Sequence, residues 1–169
     1  MFTSTTVRPK GSRHCMGGRR LVLVDIENVV GGAVTDVSAA VWAKARVEEV
    51  IGSTDGDQVV IGVSHIGLLA TGVGWPRRRY VLGSGPDGAD RALLNVMDED
   101  LADRFEEVVV VSGDGIFAQA VGALAGAGVT VTVVAHPDGL SRRLRLAAVH
   151  VRRMPSRFLP AVAALGGAA

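Results

Sequence analysis

The sequence predicts an α/β fold of three layers, in which a mostly parallel central sheet carries helices on both faces. Three observations carry that prediction. Short runs of Val, Leu and Ile recur without polar alternation, as in LVLVD at 21–25 and VVVV at 108–111, which suits strands buried on both faces. Longer stretches with helical spacing separate them, and such alternation marks parallel sheets joined by helical crossovers. Two of the apolar runs close on an aspartate, Asp25 and Asp114.

The elements follow in order. Residues 1–18 mix Thr, Ser, Gly and basic residues without periodicity and read as a flexible N-terminal arm. The first strand is LVLVD, followed by a loop, ENVVGGAVTD. Thr35, Asp36 or Ser38 caps the helix VSAAVWAKARVEEVIG. Its apolar positions are expected at Val41, Ala45, Val47 and Val50/Ile51, with Gly52 as its stop. The second strand is DQVVIGVSH (57–65), and HIGLLATGVGW is either a short helix or a loop. RRRYVLGSG (77–85) is more polar and is placed near a sheet edge. One helix is expected over 88–105, with Ala92, Leu93, Val96, Met97, Leu101 and Phe105 as its apolar stripe. EEVVVVSGD is the fourth strand, GIFAQAVGALAGAG a helix ending at Gly128, and VTVTVVAH (129–136) the fifth strand. DGLSRRLRLAA gives a short helix and VHVRRM an edge strand. The domain is placed at 19–158, with a short C-terminal tail at 159–169.

Composition narrows the class. A chain of 169 residues with 48% hydrophobic content supports one domain with a real core. Lys+Arg 18 against Asp+Glu 17 leaves almost no net charge, so only clustering can point to nucleic acid. The one cysteine, Cys15, excludes an intrachain disulfide and a cysteine zinc site. The first twenty residues lack the apolar core of a signal peptide, and no apolar run is long enough to span a bilayer. A cytoplasmic protein with no membrane partner is expected.

The acids carry the functional reading. Asp25 ends the first strand, Asp114 ends the fourth, and Asp90 opens the helix after the third. Right-handed crossovers put all three on one rim of the sheet, where ligands of such folds bind. A single Asp after a strand is usually a turn former or helix cap. Three converging carboxylates repel one another unless a cation or arginines neutralise them. Mg²⁺ or Mn²⁺ takes oxygen ligands and suits such a set. Asn28 lies three residues past Asp25 and Ser112 two before Asp114, each placed to help bind substrate. Asp87 is an auxiliary candidate, and Glu27 ranks below Asn28 because it can point away. His65 and His136 end strands and are as readily structural as functional.

Rival chemistries lack their residues. There is no GxxxxGK[ST] and no GxGxxG after the first strand. Phosphoaspartate sites pair strand-end acids with a late lysine, and the only lysines, Lys10 and Lys44, are in the arm and first helix.

LVLVDIEN, GADRALLNVMDED and VVVVSGDGIFAQAVGALAGAGVTVTVVA, in that order and spacing, resemble the NYN domains of the PIN-like nuclease superfamily, over roughly residues 20–155. GLSRRLRLAAVHVRRM looks like the family's ending. The resemblance implies a Rossmann-like PIN-type three-layer sandwich and a metal-dependent endoribonuclease. It assigns Asp25, Asp90 and Asp114 as metal-binding and catalytic acids with Asn28 beside them. The family's S-G-D-x-D-F is SGDGIF here, so Ile116 stands where the last acid is expected. Waters or Asp87 would then complete the coordination. The alternative is a catalytically impaired domain that binds nucleic acid or protein.

The implied partner is RNA, single-stranded RNA included, with a homo-oligomer or protein partner left open. Arginines would hold its backbone by bidentate contact. The candidates are Arg142, Arg143 and Arg145, then Arg152, Arg153 and Arg157. Arg77, Arg78 and Arg79 rank lower because they start a strand and so lie opposite the acids. Arg91 is placed to balance Asp90. At 4% aromatic content, base stacking is poorly supported. A phosphatase acting on small molecules would use the same acids.

Overall fold

The computed structural model describes residues 18–155. The N-terminal arm, except its last residue, the C-terminal tail and Arg157 lie outside them. Six strands form one sheet, all parallel, in the order β3-β2-β1-β4-β5-β6. They are β1 (Arg20–Asp25), β2 (Gln58–Ser64), β3 (Arg79–Gly83), β4 (Glu107–Val111), β5 (Thr130–Ala135) and β6 (His150–Arg153). The helices are α1 (Ile26–Val30), α2 (Val37–Ile51), α3 (Leu68–Gly74), α4 (Gly88–Met97), α5 (Leu101–Arg104), α6 (Ala118–Gly126) and α7 (Arg142–Ala147). A 3₁₀ turn, Gly115–Phe117, joins β4 to α6.

The expected three-layer fold is the one observed, and its reason is visible in the valine runs. In β4, Val108 and Val110 face one hydrophobic cluster and Val109 and Val111 the other. Both faces of the sheet are therefore covered. The edge strands β3 and β6 are the most polar, as expected of strands with one open side. At the N-terminal end of the sheet, Arg20 grips Asp57 through two hydrogen bonds of 2.9 and 2.6 Å. Burial would raise the Asp57 carboxyl, but this pairing and the Thr54 amide bring it down to about 2.

Three local expectations are corrected. The stretch after β1 is a five-residue helix, not a loop, because Asp25 caps it by accepting from Asn28 N and Gly31 stops it in a left-handed turn. The buried stripe of α2 is Ala39, Ala40, Ala43, Val47 and Ile51, whereas Val41 and Ala45 face solvent. Small residues lie inward because α3 packs close: a Cβ on Gly74 would meet Ala40 Cβ at 2.6 Å and Val37 O at 2.8 Å. The helix expected over 88–105 breaks in two at Asp98–Asp100, where Asp100 adopts φ +49°. The open choice for 68–74 resolves as helix.

Close backbone approach fixes α4 on the sheet. A Cβ on Gly62 would lie 2.6 Å from Leu93 Cδ1, and one on Gly83 would fall inside the carbonyl of Gly88. The end of β3 and the start of α4 thus touch through backbone alone. Gly83→Ala is expected to cost about 1–3 kcal/mol, because the obstructing group is main chain and not a movable side chain. Urea unfolding measures it, and a wild-type midpoint would refute the contact.

Candidate functional site

The acidic rim forms where the strand order reverses. β1 is paired with β2 on one side and β4 on the other, so crossovers leave the sheet in opposite directions there and open a crevice. Asp25 arrives from the end of β1 and Asp114 from just beyond β4. Asp90 arrives in the first turn of α4. Together with Glu27, Asn28, Ser64 and Asp87 they line a cavity of about 250 Å³.

Asp25 is buried, at 5% exposure. Its carboxylate accepts from Asn28 N at 3.1 Å and from Ser112 Oγ at 2.9 Å, and it is within hydrogen-bond reach of the Asp90 carboxyl. Burial, and then the charge of Asp90, push it up to about 7 against the pull of those two donors. Asp90 is also raised, by burial and by Asp114, Asp87 and Glu27, while its bond to Asp25 works the other way. Among the described residues no arginine forms an ion pair with any of these acids.

Ser112 ties the site together from below. It is buried at 1% exposure, donates to Asp25, and accepts from Asp114 N at 3.2 Å. Its hydroxyl bonds to both acid-bearing segments, and Ser112, expected as a substrate contact, is not among the residues that line the cavity. Asn28 Oδ1 accepts from Gly113 N at 3.0 Å, joining α1 to the β4 loop. Asp114 caps the 3₁₀ turn through Ile116 N. Ile116 itself packs against the core cluster beneath α6 and is not among the cavity-lining residues.

Other expected residues lie elsewhere. Arg142 and Arg143 are exposed at the start of α7 and do not line the cavity. They are close to it along the chain path: Ser141 N donates to Gly113 O at 2.9 Å, and a Cβ on Gly115 would meet Ser141 Oγ. Arg91 is exposed and lines no wall of the cavity. Arg77, Arg78 and Arg79 lie at the opposite edge of the sheet, as expected, around a separate cavity of about 270 Å³. Several of the arginines there are paired, Arg79 and Arg104 to Glu99 and Arg20 to Asp57. His65 bonds Ser84 at the surface.

Glu27 was underrated. It lines the acidic cavity, and its Oε1 is buried with no hydrogen-bond partner. The signal in sequence was its place in the first turn of a helix capped by Asp25, which the short run DIEN hides.

Among the described residues no group of three or more His, Cys, Asp or Glu side chains is arranged to hold a metal ion as it stands. The chemistry of the donor set still fits a hard divalent cation: all donors are oxygens, they repel one another, and no ion pair offsets them. Asp25 and Asp90 would hold the ion, with Asp114 across the cavity and remaining positions left to water or substrate.

A parallel α/β domain with carboxylates pooled at its switch point is thus the class of protein that fold and site define. The NYN domain model matches residues 20–154, and the chain belongs to the NYN family, within the PIN-like nuclease superfamily. Among solved structures the chain is similar to a protein of unknown function from Vibrio parahaemolyticus RIMD 2210633. The identity is 20% and the TM-score 0.54, over 83% of this chain and 96% of that one; this likeness establishes the fold alone. No curated protein matches the chain. No helix among the described residues is long and apolar enough to cross a membrane.

The burial of Asp25 has a pH signature. Below the ordinary carboxyl pKa of 3.8 the group is protonated in folded and unfolded chains alike. Above it the unfolded chain ionises first, so stability falls until the folded carboxyl also ionises near 7. The metal-free protein should therefore lose thermal stability as pH rises through that window, and Asp25→Asn should flatten the decline. Melting curves across the range test this, and identical slopes in the two proteins would refute it.

Proposed function

We propose that the chain is a metal-dependent ribonuclease, hydrolysing phosphodiesters at the acidic cavity. One observation carries the reading: a buried carboxylate is held against a second and faced by a third, with no ion-paired arginine among the described residues to relieve them. Fold alone would not justify buried like charge. Structural acids at strand ends normally face water or pair with arginine, as Asp57 does in this chain.

Asp25 and Asp90 would hold Mg²⁺ or Mn²⁺, and the ion when bound would supply charge stabilisation at the phosphoryl oxygens and activation of water. Ser112 and the Asn28 amide orient Asp25. Asn28 Oδ1 is engaged by Gly113, which leaves its amide nitrogen as a donor toward substrate. Asp114 is exposed, which leaves it accessible to the incoming strand. Arg142 and Arg143 would hold backbone phosphates beside the cavity.

A second reading, a binding module with impaired chemistry, is favoured by one feature. Ile116, half-buried against the core cluster, stands where the family pattern has an acid. Labelled single-stranded RNA with Mn²⁺ separates the two. Cleavage is expected to vanish with EDTA and to fall roughly 100-fold or more in Asp25→Asn and Asp90→Asn. Ser112→Ala is expected to lose less, roughly 10-fold, because it acts through Asp25 and Asp114. RNA retained uncut, equally by wild type and Asp25→Asn, would establish the module instead.

A further inference from the structure

A second cavity adjoins the acidic one, and the two share a wall. It measures about 280 Å³ and is lined by Glu27, Asn28, Gly31, Gly32, His136 and Gly139. Glu27 and Asn28 also line the acidic cavity. The second cavity therefore sits one group away from where a scissile phosphate would bind, on the side toward α7, whose N-cap Ser141 follows Gly139 closely in sequence.

Its polar groups form a pattern. His136 is buried at 5% exposure, and its Nε2 lies 3.0 Å from Val29 O. A carbonyl only accepts, so Nε2 is the donor. Glu27 is acceptor-only as a carboxylate, and its buried Oε1 has no partner. Asn28 has spent its oxygen on Gly113, so it offers N–H donors. The wall thus presents a carboxylate next to an amide donor, between glycine backbones that let a flat ring approach closely.

We propose that this cavity receives a guanine base, that of the nucleotide next to the scissile phosphate. Guanine alone among the four RNA bases presents two adjacent N–H donors, N1–H and N2–H, on its Watson–Crick edge, with an acceptor, O6, beside them. Those donors match the Glu27 carboxylate and O6 matches the Asn28 amide. RNA is read in this manner, by hydrogen bonds to edges of bases splayed out of a single strand. The identification of the ligand as part of an RNA strand rests on the ribonuclease reading, but binding of the base does not require cleavage.

Gly32 supplies a clean test. Its φ is not in the positive range and a Cβ there would meet nothing within 4 Å, so a large side chain can be placed at this cavity-lining position without a clash at its Cβ. Titration of the whole chain with guanosine, adenosine, cytidine and uridine 5′-monophosphates, followed by NMR of the His136 ring, is the measurement. Guanosine monophosphate is expected to bind about tenfold tighter than the others. Glu27→Gln should erase that preference, and Gly32→Phe should abolish nucleotide binding with melting temperature unchanged. Equal binding of all four nucleotides, no binding, or guanosine monophosphate binding that survives Gly32→Phe would overturn the proposal. A chain that binds guanosine monophosphate selectively yet never cuts RNA would leave the subsite standing and remove the nuclease reading.

Discussion

The carboxylate of Asp25 is held out of water at the end of a central strand, and much of the rest of the site is arranged around that fact. A buried charge is tolerated only with partners. Two of its partners are donors that the fold supplies locally, the Asn28 amide through helix capping and the Ser112 hydroxyl from the neighbouring strand. The third is another acid, Asp90, which worsens the electrostatics. The same serine that steadies Asp25 also receives the Asp114 amide, so two strand ends are coupled through one hydroxyl.

Topology explains how acids so distant in sequence meet. β1 and β4 are neighbours although three helices and two strands separate Asp25 from Asp90, and α4 returns over β2 before β4 is laid down. The approach of α4 depends on residues without side chains. Gly62 admits Leu93, and Gly83 and Gly88 meet backbone to backbone. Those glycines fix the height of α4 on the sheet and hence the reach of Asp90. Core packing and site geometry are therefore one constraint at this end of the molecule.

Much of this was legible in the sequence, for physical reasons that can be named. Valine-rich runs announced buried parallel strands, and the acids closing them announced the rim. The short helix α1 was hidden because five residues show no periodicity, although an aspartate cap with a glutamate in the first turn is its proper mark. The inward face of α2 was misjudged because alanines carry the close packing, while bulkier Val41 lies outside. The break at Asp98–Asp100 was masked by apolar spacing that continued across it into Leu101 and Phe105. The position of Ser112 beside the acids was legible, but its hydrogen bond to Asp25, made just past the end of β4, was not. Glu27 was undervalued because side-chain direction in a one-turn helix cannot be read without the cap.

Charge is nearly balanced over the chain but uneven around the site. Asp25, Glu27, Asp87, Asp90 and Asp114 gather at the switch point, while Arg142, Arg143, Arg145 and Arg153 lie on α7 and β6 in no ion pair among the described residues. On the nuclease reading this separation solves a sign problem. A polyanion is repelled by the empty acidic cavity and attracted by the arginine face, so the arginines can capture the strand while the acids alone cannot. A divalent ion then reverses the local sign of the cavity and lets a phosphate enter where the carboxylates would exclude it. Substrate and cation binding should accordingly favour one another, with Asp25 as the group whose ionisation links them.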